Sequence, residues 1–216
     1  MNRTSLLRTI TQLSTQRALF HSEADFQHAL ALELGTTDPE SALRLEYRPF
    51  PEESIYVDVW LRSQDEVVAM ELKYLTKALE TSWGHERFAL KNQGAHDIIA
   101  YDCFKDLERL ERFTTDAKAD RGFLIVLTND ALYWKTPARI GAGYDAFRLF
   151  DGRRVSGILE WGDGAGPGTR RRREDPIHLR GQYRFDWVDY SRPSLNRAGE
   201  FKVLVVEVLR TSTSPE

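Results

Sequence analysis

The strongest constraint on the fold is a pair of neighbouring segments, 54–62 and 66–75, in which side chains of different character alternate. Successive side chains of a strand point to opposite faces, so each segment is predicted to be a β-strand. The link between them is short, which predicts an antiparallel hairpin. A two-residue turn at Gln64 and Asp65 would pair Ser63 with Glu66, although Gln-Asp is not a favoured pair in such a turn.

This register places three charged side chains on one face of the hairpin. Counting outward from the turn, Asp58 falls directly opposite Glu71, and Lys73 follows two residues later on the same face. Two opposed carboxylates repel each other, and unpaired charge among apolar neighbours is costly. A hard cation such as Mg²⁺ removes both problems, because it commonly takes one or two carboxylates plus waters and phosphate oxygens. The alternative is that Lys73 neutralises both acids in a structural salt-bridge cluster.

The hairpin resembles the signature of the PD-(D/E)xK phosphodiesterase superfamily, which has the restriction-endonuclease-like fold. Asp58 resembles the acid of the second core strand, and Glu71-Leu72-Lys73 resembles the acid-x-Lys of the third. Val57 stands where that motif has a proline. The resemblance covers roughly residues 20–128, just over half of the chain. It implies an α/β (α+β) fold, with a central mixed β-sheet flanked by helices and the core order αβββαβ.

The resemblance also implies a function, a metal-dependent nuclease that hydrolyses phosphodiester bonds of nucleic acid. It implies Mg²⁺ or Mn²⁺ held by Asp58, Glu71 and the backbone carbonyl of Leu72. Lys73 would neutralise charge on the phosphate or position the attacking water. The preference for DNA comes from the resemblance alone. Two alternatives remain: a non-catalytic nucleic-acid- or protein-binding module that keeps the fold, and an unrelated interaction domain in which the acids are structural.

Two further polar residues resemble members of the same catalytic set. Many relatives of this superfamily carry a glutamate on the helix before the sheet, and Glu23 matches that position. Its alternative role is that of an ordinary first-turn acid that complements the helix dipole. Several branches place a glutamine on the helix after the acid-x-Lys strand, and Gln93 fits that place, with a surface polar residue as the alternative.

Periodicity and capping residues predict the remaining elements. A first helix is expected over 4–17. A second is expected over 22–34, with Ser22 as N-cap and Gly35 as the stop. The other expected elements are a strand at 43–47, a long helix over roughly 84–113, and strands at 122–128 and 201–209.

Length and composition suit one domain over 1–216, with a core at about 20–130 and a C-terminal elaboration at 131–216. That elaboration includes a loop at 162–176, expected to be exposed and flexible, and the late strand. The net charge of −3 argues mildly against a nucleic-acid binder, so basic residues would have to concentrate on one face. The Arg-rich run 169–175 could serve there or be a solvated charge run. The aromatic residues of 183–190 are expected in the core rather than as stacking platforms.

One cysteine, Cys103, rules out a disulfide within the chain and is expected to be a small core residue. No apolar run approaches the ~20 residues that span a bilayer, so no membrane partner is expected. A reducing cytoplasm fits these features, and a homodimer is left open. The Arg- and Ser/Thr-rich N-terminus resembles an organelle transit peptide in composition, but a plain helix packed on the core is the favoured interpretation.

Overall fold

A six-stranded mixed sheet forms the centre of the computed structural model, which describes residues 1–210. Its strand order is β1-β2-β3-β6-β10-β9, and β3 and β6 run parallel while every other neighbouring pair is antiparallel. Two separate hairpins, β4–β5 and β7–β8, lie outside this sheet. The strands are β1 (Ala42–Tyr47), β2 (Val57–Arg62), β3 (Val67–Leu75), β4 (Leu79–Trp83), β5 (Glu86–Leu90), β6 (Arg121–Thr128), β7 (Arg154–Leu159), β8 (Ile177–Arg184), β9 (Trp187–Ser191) and β10 (Phe201–Leu209).

Helices cover both faces of the central sheet. The helices α1 (Arg3–Gln16) and α2 (Glu23–Thr37) pack on one face, and the long α3 (His96–Thr115) packs on the other. A Cβ added to Gly122 would lie 3.0 Å from Leu110 of α3, which shows how closely this helix approaches β6. The expected α+β class, with a central mixed sheet flanked by helices, is therefore confirmed. A short α4 (Pro167–Arg170) lies in the C-terminal segment.

The N-terminal elements agree with the sequence patterns. The first helix is present, and the Ser22 side chain accepts a hydrogen bond from the Asp25 N–H at the start of α2, as predicted. The expected stop at Gly35 is wrong, because α2 continues to Thr37. The N–H of the next residue, Asp38, still donates to the Leu34 carbonyl and closes the last turn. Glycine weakens a helix without ending it when the following backbone can still pair.

The expected long helix over 84–113 is wrong in its first third. Residues 79–90 form the β4–β5 hairpin, in which Trp83 pairs with Glu86 around a tight turn. Gly84 at the turn has φ +57°, a conformation that glycine adopts at no steric cost. The helix α3 begins only at His96. A polar segment with a few apolar residues carried too little periodicity to separate a hairpin from a helical turn.

The C-terminal segment adds strands to the same central sheet. The expected late strand is β10, with the predicted bounds, and it pairs with β6 from Lys202 to Leu209. The aromatic side chains of 183–190 are buried, as expected: Tyr183, Phe185, Trp187 and Tyr190. The loop 162–176 is mostly exposed and holds α4. Residues 211–216 of the expected elaboration lie outside the described residues. None of the described helices has the length and apolarity needed to cross a membrane.

Candidate functional site

The β2–β3 hairpin has the register that the sequence predicted. Val59 lies opposite Met70, and the pairing continues to Arg62 opposite Val67. The turn closes with the Ser63 N–H donating to the Glu66 carbonyl at 2.9 Å. The observed ladder ends at Val59 and Met70, one position before the predicted opposition of Asp58 and Glu71.

The start of β2 departs from strict alternation. Residues 54–56, which were expected to belong to the strand, precede it. Val57 packs with Trp60 on the α3 side of the sheet, not with Val59 on the other side. The neighbouring strand explains this, because Glu46 adopts φ +50° and interrupts the pairing between β1 and β2 at Asp58. The sequence could not indicate this irregularity.

Two carboxylates fill the edge of β3 where β2 no longer covers it. Asp58 Oδ2 accepts a hydrogen bond from the Leu72 N–H at 2.6 Å, and Glu23 Oε2 accepts one from the Tyr74 N–H at 2.8 Å. The residue Glu23 is exposed overall, but its carboxylate reaches the strand from the first turn of α2. The structure thus brings Glu23 to the predicted hairpin site rather than leaving it as a first-turn surface acid.

Glu71 and Lys73 point to the side of β3 that faces α3. Arg109 Nε and Nη2 both lie 2.9 Å from Glu71 Oε1, and Arg109 Nη2 donates to Asp106 Oδ1 at 2.6 Å. Lys73 Nζ lies 2.6 Å from the other oxygen of Asp106. Glu71 is almost completely buried, with 1% of its surface exposed. Lys73 therefore pairs with a carboxylate of α3, and not directly with the two hairpin acids.

Together these side chains form one site, here called the carboxylate cluster: Glu23, Asp58, Glu71 and Asp106, with the cations Lys73 and Arg109. Burial raises the pKa of Asp58 and of Glu23, against the lowering effect of the backbone N–H groups they accept from and of Lys73. Burial, followed by the nearby Asp106 carboxylate, raises the pKa of Glu71 well above its ordinary value. Four carboxylates face two cations, so the site holds excess negative charge in a poorly solvated place.

Lys73 keeps its proton in this environment. Burial acts to lower its pKa, but the adjacent Asp106 carboxylate more than offsets that effect, and the net shift is upward. Cys103 lies beside the same group on α3 and is fully buried, and burial raises the pKa of its thiol. The expected core role of Cys103 is consistent with both observations. Lys73 can therefore act as a fixed positive charge but not as a proton acceptor.

Gln93 does not lie on a helix, which corrects the sequence prediction. Gln93 is exposed and lies in the segment before α3. Its backbone N–H donates to the Thr76 carbonyl at 2.8 Å, and its side-chain oxygen accepts from the Thr76 N–H at 3.2 Å. Gln93 thus holds the backbone that leaves β3.

Sequence reasoning missed Asp106 and Arg109, and each of the three ion pairs described at the site involves at least one of them. A signal was present: Asp106 lies three residues after Cys103 and four before Leu110, on the stripe that α3 buries. A charged residue on such a stripe needs a partner, since an unpaired buried charge is costly. The partner strand could be identified only from the packing.

A second polar group lies beyond the C-terminal end of β6. The buried Asp130 accepts from His96 Nε2 at 2.8 Å and from the Leu132 N–H at 3.1 Å. Burial acts to raise the Asp130 pKa, but these hydrogen bonds and the nearby Lys77 outweigh it, and the pKa is lowered. This group ties the first residue of α3 to the sheet.

Comparison of the chain with protein-family models, with curated proteins and with solved structures finds no match. Within residues 1–210, no group of three or more His, Cys, Asp or Glu side chains is spaced to hold a metal ion by itself.

Proposed function

We propose that this chain is a divalent-metal-dependent phosphodiesterase acting on nucleic acid, with DNA as the favoured substrate, and that its core is of the restriction-endonuclease-like type. The order α2, β1, β2, β3, α3, β6 supports this core, with the β4–β5 hairpin as an insertion. The observation that carries the proposal is the carboxylate cluster, in which Asp58 lies just beyond the β2–β3 ladder, near enough for its charge to help raise the pKa of Glu71, and Lys73 lies close by.

Charge balance supports a cation at this site. The cluster has two more carboxylates than cations, and the pKa values of Glu23, Asp58 and Glu71 are all raised because that charge is poorly solvated. One divalent ion would neutralise the excess. Two carboxylates and a backbone carbonyl are sufficient protein ligands for Mg²⁺, which keeps several waters, so a larger group of side chains is not required.

Asp58, Glu71 and the Leu72 carbonyl are the groups that would hold the ion. The N–H and C=O of one residue point to the same edge of a strand, and the Leu72 N–H faces Asp58, so its carbonyl faces the same gap. Arg109 contacts one oxygen of the Glu71 carboxylate, Oε1, and would compete with an ion for it. When bound, a divalent cation supplies Lewis acidity toward a phosphoryl oxygen and lowers the pKa of a water molecule.

The chain's own residues have separable roles in this proposal. Lys73, protonated and fixed by Asp106, supplies positive charge beside the phosphate as negative charge develops there. Glu23 is bound to the Tyr74 N–H and keeps a second oxygen that can accept a hydrogen bond from water. The buried surroundings of Glu71 limit competing solvent and strengthen these interactions.

A second candidate function is a non-catalytic binding module that retains the fold. The observation that favours it is the continuous set of ion pairs from Glu71 through Arg109 and Asp106 to Lys73. Such a set can serve stability or specificity of the fold without chemistry.

Cleavage assays on plasmid and on single-stranded substrate, with Mg²⁺ or Mn²⁺ and with EDTA, test the proposal. Wild-type protein is expected to cleave only with metal, and Asp58→Asn and Lys73→Met are expected to lose activity. Asp65→Asn is the matched control, because Asp65 is an exposed acid in the turn of the same hairpin. Metal-dependent cleavage that survives Asp58→Asn would reject the site. Absence of both cleavage and metal binding in the wild type would favour the binding module.

A further inference from the structure

A groove between α3 and β8 leads to the carboxylate cluster. It has a volume of about 560 Å³ and is bordered by Ile55, from the segment before β2, and by side chains of both elements: Lys105, Glu108, Arg109, Glu111, Arg112, His178 and Arg180. Arg109 belongs both to this groove and to the cluster, since it contacts Glu71. A ligand lying in the groove would therefore contact Arg109, which borders the proposed catalytic site.

The cationic character of the groove is available to a ligand because its two acids are already engaged. Glu111 is buried and accepts hydrogen bonds from the N–H groups of Arg180 and Gly181, at 2.9 and 2.7 Å, and from the Tyr183 hydroxyl at 2.6 Å. Glu108 accepts from the His178 N–H at 2.8 Å. Both carboxylates thus hold the backbone of β8 in place, Glu111 through both of its oxygens and Glu108 through one, while the other oxygen of Glu108 pairs with Lys105.

Arg180 is fixed in position but its side chain has no structural partner. The pairing of β7 with β8 shifts register between Val155 and Gly157, so Arg180 lies in an irregular part of β8 and its N–H turns to Glu111. Within residues 1–210, the Arg180 side chain makes no ion pair or hydrogen bond, and it is exposed in the groove. Bulges of this kind often re-aim a side chain near a functional site.

The other cations of the groove differ in how firmly they are held. Arg112 forms a two-pronged ion pair with Glu53 and lies over the Phe50 ring, so it is committed to the fold. Lys105 is exposed and pairs with Glu108 one helical turn away, and ion pairs of exposed side chains contribute little. Lys105 and Arg180 are therefore the cations free to meet a polyanion.

We infer that the α3–β8 groove binds the sugar-phosphate backbone of the nucleic-acid substrate next to the bond that is cut, with Arg180 and Lys105 contacting phosphates. This inference rests on the proposed function. It also assigns a role to the β7–β8 hairpin, which lies outside the segment that resembles known nucleases. Local positive charge in this groove reconciles nucleic-acid binding with the net charge of −3 of the chain.

Binding of a fluorescently labelled duplex, followed by anisotropy in EDTA over a range of salt concentrations, tests the groove without cleavage. Arg180→Gln is expected to weaken binding about three- to tenfold and to reduce the slope of log affinity against log salt by about 0.9, the value for one phosphate contact. Lys105→Gln is expected to act in the same direction. Arg184→Gln is the matched control on the same strand, because Arg184 pairs with Asp186 and does not border the groove.

Cleavage measured in parallel separates the two proposals. If Arg180→Gln binds with wild-type affinity and salt slope while the wild type cleaves, the groove is not the substrate path and the proposed function stands. If Arg180→Gln lowers the salt slope but the wild type never cleaves, the groove is supported and the catalytic proposal fails. If the wild type neither binds nor cleaves, both are rejected. Unchanged melting temperatures of the variants show that folding is not the cause.

Discussion

Replacing Asp58 with asparagine removes one charge from the carboxylate cluster while keeping an oxygen that can accept from the Leu72 N–H. In metal-free buffer this change is expected to stabilise the protein. The Asp58 charge acts on Glu71, and the Cβ atoms of opposed residues on neighbouring strands lie about 5 Å apart, which sets the scale of that repulsion. Two unit charges at that distance repel by about 3 kcal/mol at an effective dielectric constant of about 20.

Part of the stabilisation gained by relieving this repulsion is lost again, for two reasons. The hydrogen bond from Leu72 becomes neutral and weakens by about 1 kcal/mol, and the attraction between Asp58 and Lys73 disappears. A net stabilisation of about 1–2 kcal/mol remains. For a chain of this length, 1 kcal/mol corresponds to about 2–4 °C, so Asp58→Asn should raise the melting temperature in EDTA by about 2–8 °C.

Metal should reverse the order of stability. A ligand present at about 100 times its Kd stabilises the folded state by about 2.7 kcal/mol, and the wild type should gain this from Mg²⁺ or Mn²⁺ while Asp58→Asn gains little. Thermal unfolding by calorimetry, with EDTA and with metal, measures both effects, and Asp65→Asn serves as the charge-matched control. The reasoning is refuted if Asp58→Asn loses more than about 1 kcal/mol in EDTA or gains as much from metal as the wild type.

The pH dependence of the same unfolding experiment gives an independent check. The folded pKa of Asp58 is raised by burial, so its protonated form is favoured on folding. Its contribution to stability is therefore fully present below the ordinary carboxyl pKa of about 3.9 and is lost as the pH rises through the raised value. In EDTA the wild type should lose more stability than Asp58→Asn as the pH rises above about 4.

Three further outcomes are expected. Arg109→Gln should bind Mn²⁺ more tightly than Lys73→Gln by calorimetric titration, because only Arg109 occupies Glu71; equal affinities would contradict this. Glu111→Ala should cost about 3–5 kcal/mol in urea unfolding, since it leaves two N–H groups and a hydroxyl without their acceptor. Asp130→Asn should cost about 2 kcal/mol at neutral pH, and the difference should shrink as the pH falls below about 4, because the lowered pKa of Asp130 contributes stability only above that range.

Local sequence pattern was enough to predict much of the β2–β3 hairpin. Alternation in 54–62 and 66–75, together with a four-residue link, was sufficient to predict the register from Arg62 opposite Val67 to Val59 opposite Met70. Alternate residues of a strand share a face, and the turn sets which residues of the two strands are opposite each other. Asp58, Glu71 and Lys73 could therefore be grouped before any packing was considered. The pattern did not show where β2 begins, because the break at Glu46 lies on another strand.

The elements that surround the hairpin required the tertiary structure. Gln93 was misplaced because residues 84–95 carry weak periodicity and their hairpin is stabilised by contacts with the rest of the chain. Asp106 and Arg109 could be recognised as unusual on a buried helical stripe, but their partners could not be named.

Two kinds of information therefore determine the structure of this protein. The order of apolar and polar residues, a property of neighbours along the chain, dictated the strands, the hairpin register and the face that carries Asp58, Glu71 and Lys73. Only the folded molecule decided that Arg109 and Asp106 of α3 neutralise part of that face, and that β8 forms a groove beside it. Those contacts join residues from about 30 to 70 positions apart, as between Glu71 and Arg109 or Glu111 and Arg180, and local periodicity carries no information about such pairs.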